Sequence, residues 1–168
     1  MTRSMHLWFV AAGLTVALPI QAAFAVDSTI KVSLWDKGPD SMMMDDAHMS
    51  MMGRMDMAMM PMAMMGITLD KASVPAGTVT FEVTNDSKDI IHEMMVSPVA
   101  KGQTELPYVV AENRVDEEAA GHLGEVSELD PGTSGSLTVD MTPGDYVVYC
   151  NVPGHFIGGM WVMLTVTP

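Results

Sequence analysis

The chain has 168 residues, a length that one domain fills. Eight Lys+Arg stand against 21 Asp+Glu, a formal charge of −13, which argues against binding to nucleic-acid phosphates. A single cysteine excludes an intrachain disulfide framework and a CxxC zinc or redox motif, while 20 methionines exceed what an ordinary domain uses.

The N-terminus has the parts of a secretory signal peptide. Arg3 supplies positive charge, Leu7 to Leu18 is apolar, and Ala23-Phe24-Ala25 is a small-x-small cleavage site. Pro19 and Gln21 interrupt the apolar run before it reaches spanning length. Residues 1–25 are therefore expected to be removed, leaving an exported, periplasmic chain with no membrane span. In an oxidising compartment a lone thiol is chemically exposed unless something protects it, and a bound metal would do so.

Residues 26–40 contain a first strand, in which Ile30, Val32 and Leu34 alternate with Lys31, Ser33 and Trp35 until Gly38-Pro39 ends it. The composition then changes. Residues 41–66 hold 13 methionines among 26 residues and no Val, Ile, Leu, Phe, Tyr or Trp. Gly53 and Pro61 would break a long helix, so this segment reads as a flexible, low-complexity insertion.

Strand patterns resume over residues 67–168. Val79, Phe81 and Val83 alternate with Thr80, Glu82 and Thr84, and Asn85-Asp86-Ser87 turns the chain. His92, Met94 and Val96 share one face of the next strand, with Glu93 and Met95 on the other. Residues 98–121 are irregular and acidic, with a short helix expected around 109–119. Further strands are expected at 123–129, around Leu137, Val139 and Met141, at 146–150, and at 159–166. Seven or eight short strands separated by turn signals describe an all-β sandwich.

The chemistry concentrates in Cys150-Asn151-Val152-Pro153-Gly154-His155-Phe156-Ile157-Gly158-Gly159-Met160, a Cys-x4-His-x4-Met loop between two strands. His92 opens an earlier strand. One thiolate, two imidazoles and one thioether suit copper, because Cu(I) favours soft sulfur while Cu(II) accepts imidazole and thiolate. Zinc takes Cys and His readily, but thioether is a poor zinc ligand. A Cys150–His155 nucleophile pair would lack a third, orienting group. Taken singly, Cys150 could be a small buried hydrophobe, His155 a loop residue and Met160 core. Together on one loop they favour copper. His122 reads as an exposed loop residue, and Met94, Met95, Met141 and Met163 as packing residues.

The loop Cys150…His155…Met160 with upstream His92 resembles the type 1 copper site of the cupredoxins, the plastocyanin and azurin group. The resemblance implies a Greek-key β-sandwich with the site at one end. It also implies His92, Cys150 and His155 as equatorial ligands and Met160 as the axial one. Many cupredoxins place Asn directly after the first His ligand, whereas Glu93 stands there in this chain.

The methionine segment fits no packed core, since methionine alone specifies no packing. Clustered thioethers match soft coordination of Cu(I). The candidates are Met42, Met43, Met44, Met49, Met51, Met52, Met55, Met57, Met59, Met60, Met62, Met64 and Met65, with His48 adding a nitrogen. A sticky partner surface or a sacrificial oxidant sink are the competing readings. A signal peptide, a Met-rich insertion and a cupredoxin domain together resemble the CopI-type periplasmic cupredoxins of bacterial copper tolerance.

Two functions follow from this reading. One is copper handling in tolerance, with a redox-active copper in the β-domain and Cu(I) gathered by the segment. The other is one-electron transport between respiratory or photosynthetic partners. Glu105, Glu112, Asp116, Glu117, Glu118, Glu125, Glu128 and Asp130 would steer a cationic partner such as a c-type cytochrome, or another copper-handling protein. His155, flanked by Val152, Pro153, Phe156 and Ile157, would be the electron exit. An enzyme is not expected, because His48 and His122 are too few to build a second metal centre.

Overall fold

The computed structural model describes residues 27–38 and 64–168. The expected signal peptide and residues 41–63 of the methionine segment lie outside the described residues.

Alternating apolar residues build the first sheet. Strand β1 (Ser28–Asp36) buries Ile30, Val32 and Leu34, and β4 (Gly77–Asn85) buries Val79, Phe81 and Val83. The two run parallel, with Ile30 opposite Phe81 and Val32 opposite Val83. β2 (Met65–Leu69) pairs antiparallel with β1, and β9 (Ser134–Met141) antiparallel with β4, giving the order β2-β1-β4-β9. Thus β2 takes in Met65 and Gly66, the last two residues of the expected insertion. Gly66 faces Trp35, whose ring carbon would lie 2.6 Å from any Cβ added there. Only glycine lets the indole lie across the strand.

The second sheet has the order β3-β11-β10-β5-β8. Its strands are β3 (Ser73–Pro75), β5 (His92–Val99), β8 (Gly124–Leu129), β10 (Gly144–Tyr149) and β11 (Trp161–Thr167). β3 and β11 are parallel and the other pairs antiparallel. The two sheets enclose a core that includes Ile30, Phe81, Val83, Met94, Val148, Met160 and Leu164. This is the all-β sandwich expected from the alternation, with the Greek-key fold that the resemblance implies.

The outer face of the second sheet departs from simple alternation. β5 buries His92 through Ser97 without a break. The reason is a second apolar cluster, in which Met95, Val115, Ala120, Val147 and Tyr149 pack with Leu106, Tyr108, Phe156 and Trp161. The excursion between β5 and β8 covers that face. It contains a two-strand hairpin, β6 (Tyr108–Val109) and β7 (Arg114–Val115), and one helical turn, α1 (Glu117–Ala120). The expected helix around 109–119 is therefore confined to its C-terminal end. Asp116 starts it by accepting a hydrogen bond from the Ala119 amide.

At one end of the sandwich the β1 and β2 ladder extends past the strands. Asp36 pairs with Met65, and the Lys37 amide donates to the Met64 carbonyl at 2.9 Å. The described residues on either side of the methionine segment are thereby joined to each other.

Candidate metal centre

Strand register brings distant residues to that same end. β10 pairs with β5 so that Tyr149 lies opposite Met95, and with β11 so that Tyr149 lies opposite Trp161. One step further along, Cys150 stands beside the start of β5 and opposite Met160. The Cys150 amide donates to the Met160 carbonyl at 3.1 Å, and the Glu93 amide approaches Cys150 Sγ at 3.5 Å. His92 is the first residue of β5, just before a register shift in the pairing with β8 that lies between it and Met94.

The loop from Asn151 to Gly159 folds back on itself. The Met160 amide donates to the His155 carbonyl at 3.0 Å and the His155 amide to the Val152 carbonyl at 2.9 Å. Gly154 adopts a φ of +87° and donates its amide to the Asn113 carbonyl at 2.7 Å, a conformation that disfavours any side chain. These bonds turn His155 back over Cys150.

The result is a compact set of donors. Cys150 Sγ lies 3.3 Å from His155 Nδ1 and 4.0 Å from His92 Nδ1, and the two Nδ1 atoms are 3.2 Å apart. The ligand atoms of His92, Cys150 and His155 all lie within 4.8 Å of one another. His92, Cys150 and Met160 are fully buried, while His155 reaches partway to solvent.

Burial also sets the protonation states. It pushes the Cys150 thiol up to about 12, although backbone amides of Glu93 and Val152 favour the thiolate. Burial, with the neighbouring His92 adding to it, lowers His155 to about 4. Burial lowers His92 too, against the opposing pull of Asp36. Both imidazoles are thus neutral donors at neutral pH. A divalent cation would have to displace the thiol proton. Two neutral imidazoles, a thiol whose proton a metal would displace and a buried thioether residue on the same loop are a donor set that fits copper.

Residues 71–168, more than half of the chain, match the sulfocyanin (SoxE) domain. The chain belongs to that family. It is a cupredoxin, and solved structures share its fold. Reduced rusticyanin is 19% identical, with a TM-score of 0.50, covering 83% of this chain and 79% of its own. A rusticyanin variant is 18% identical, with a TM-score of 0.51, covering 87% and 84%. Reduced auracyanin from Roseiflexus castenholzii is 19% identical, with a TM-score of 0.48, covering 86% and 99%. No curated protein matches the chain.

Several residues that hold this cupredoxin's centre escape a motif reading. Asn151 is fully buried, accepts the Val115 amide at 2.7 Å and donates to the Val115 carbonyl at 3.1 Å and Glu117 Oε1 at 2.9 Å. It ties the covering excursion to the residue after Cys150. Asn85 donates to the carbonyls of Ile90 at 2.9 Å and Leu129 at 2.7 Å, fixing the chain that leads into His92. This stabilises the approach to the first histidine although Glu93 replaces the usual Asn. Glu93 is buried, with Oε1 lacking a hydrogen-bond partner among the described residues. Burial and then Glu128 raise it to about 7.

The outer residues of the loop divide. Pro153 and Ile157 are exposed, whereas Phe156 turns inward, its ring 6.1 Å from Tyr108 and 5.7 Å from Tyr149. Phe156 thus leaves the expected exit patch. Val110, 84% exposed, sits on the hairpin turn whose Asn113 carbonyl accepts the Gly154 amide. His122 is exposed, as its sequence context suggested, and Met94, Met95 and Met141 are buried. Met163 packs on the second apolar cluster. Among the described residues no helix is long and apolar enough to cross a membrane.

Proposed function

We propose that this cupredoxin is an exported, periplasmic one-electron copper protein. His92, Cys150, His155 and Met160 would hold one type 1 copper. The observation that carries the reading is the convergence of Cys150 Sγ, His92 Nδ1 and His155 Nδ1 within 4.8 Å at a buried sheet end. When bound, copper supplies a one-electron couple between Cu(II) and Cu(I). The chain's own part is to hold the donors fixed, so that little rearranges when the charge changes, and to keep water away. His155, the ligand that reaches toward solvent, lies beside exposed Pro153 and Ile157 and is the point of electron exit.

The finer reading is copper tolerance, as in the CopI-type cupredoxins. The thioethers from Met42 to Met65, with His48, gather Cu(I). Its support is chemical: 13 methionines in 26 residues beside a copper-type donor set. The acidic side chains of Glu112, Asp116 and Glu118 line an open depression of about 500 Å³ near the hairpin, and they favour a cationic redox partner as the alternative context.

Adding Cu(II) to the purified protein is expected to produce an intense thiolate-to-copper visible band that Cys150→Ser abolishes. Absence of the band in wild type would refute the site. Deleting residues 41–63, which spares β2, separates the contexts. Copper-sensitive growth at normal protein level supports tolerance, whereas unchanged tolerance removes that role.

A further inference from the structure

We infer that Asp36 is a positioning residue for His92, fixing which ring nitrogen faces the metal and biasing the centre toward its cupric state. This rests on the copper reading only in taking His92 Nδ1 as the metal-facing atom.

The geometry is built from β1. Asp36 is the last residue of that strand, and its carboxylate is used at both oxygens. Oδ1 accepts the Gly38 amide at 2.5 Å, an Asx turn that anchors the carboxylate to its own backbone. Oδ2 is left facing His92 Nε2 at 3.4 Å. Both side chains are withdrawn from water, at 3% and 0% exposure. Among the described residues neither Oδ2 nor Nε2 completes a hydrogen bond, so the 3.4 Å approach is an electrostatic contact between two unsatisfied buried atoms. Among the described residues, each of these two buried polar atoms is the partner within reach of the other.

That pairing selects a tautomer. A neutral imidazole carries one N–H, and the hydrogen bond at one nitrogen decides what the other offers. A proton on Nε2 lies on the side of the carboxylate and leaves a lone pair on Nδ1, on the side of His155 Nδ1 and Cys150 Sγ. The other tautomer would set a lone pair against the Asp36 anion and drive an N–H into the donor cluster. A carboxylate behind a ligand imidazole also makes it a stronger donor and adds negative charge near the ion, which stabilises Cu(II) more than Cu(I). None of this is visible in a ligand motif, because Asp36 lies on the other sheet and far from His92 in sequence.

Two variants of the full mature chain test it. In metal-free protein labelled with nitrogen-15 at histidine, NMR is expected to find the Nε2–H tautomer at His92. Asp36→Ala should mix the tautomers. Asp36→Asn should keep the tautomer through its amide oxygen but lose the charge. After loading with Cu(II), Asp36→Asn should weaken Cu(II) relative to Cu(I) by about tenfold, raising the one-electron midpoint by about 59 mV. Asp36→Ala should lower Cu(II) affinity by about 10–100-fold. An Nδ1–H tautomer in wild type, or a wild-type midpoint in Asp36→Asn, would overturn the inference. If Asp36→Ala does not fold, Asp36→Asn decides alone. If wild type takes up no copper, the proposed function fails, while the metal-free spectra still decide the tautomer.

Discussion

Cys150 and His155 show how burial prepares donors before any ion arrives. With the thiol at about 12 and His155 at about 4, the metal-free centre is a protonated sulfur beside a neutral ring across most of the pH range. Cupric binding then releases the thiol proton, so apparent Cu(II) affinity should rise about tenfold per pH unit above pH 4. Below that, His155 also takes a proton, and the slope should steepen toward two protons per ion. Competition titrations with a chelator from pH 3 to 8 check both slopes. Glu93 behaves oppositely to a salt-bridged carboxylate. Its folded value near 7 lies above the ordinary 4.5, so its contribution is full at low pH and is lost as pH rises through 7. Metal-free Glu93→Gln should match wild type at pH 4 in thermal unfolding. At pH 8 it should exceed wild type by on the order of 1–2 kcal/mol, a figure discounted for partial solvent screening.

Among the elements, the excursion between β5 and β8 does most to shape the centre's surroundings, and Asn151 is its fastening. Asn151→Ala would leave the buried Val115 amide and carbonyl without their partners, at a cost of about 2–4 kcal/mol. Chemical denaturation of the metal-free variant measures that loss, and a change below about 0.5 kcal/mol would contradict the role. The sheet strands were legible in sequence because Val79, Phe81 and Val83, or Ile30, Val32 and Leu34, alternate with polar residues that face water. The clustering of His92, Cys150 and His155 was legible because their chemistry, with Met160 on the same loop, is unusual in combination. The β6–β7 hairpin and single-turn α1 were not, because segments this short carry no periodicity. Asp36, Asn85 and Asn151 were hidden for a different reason. Each acts through a contact across elements, and an isolated Asn or Asp in sequence looks like any turn residue.

At the scale of the whole molecule, a sandwich end formed by β1, β2, β5 and β10 holds the donors, and Cu(II) binding should raise the unfolding temperature in a concentration-dependent way. The Lys37–Met64 bond matters at this scale as well. It extends the β1–β2 ladder by one bond beyond Asp36 and Met65, so the described ends of the two strands are clasped to each other. Removing residues 41–63 should therefore leave the melting temperature of the metal-free protein within a few degrees of wild type, as differential scanning calorimetry would measure. Because lengthening the chain between two clasped strands costs only about 0.6 kcal/mol for each doubling, the number of thioethers between Lys37 and Met64 can grow or shrink over generations while the scaffold stays the same. Sulfur capacity and scaffold integrity are then separately adjustable traits.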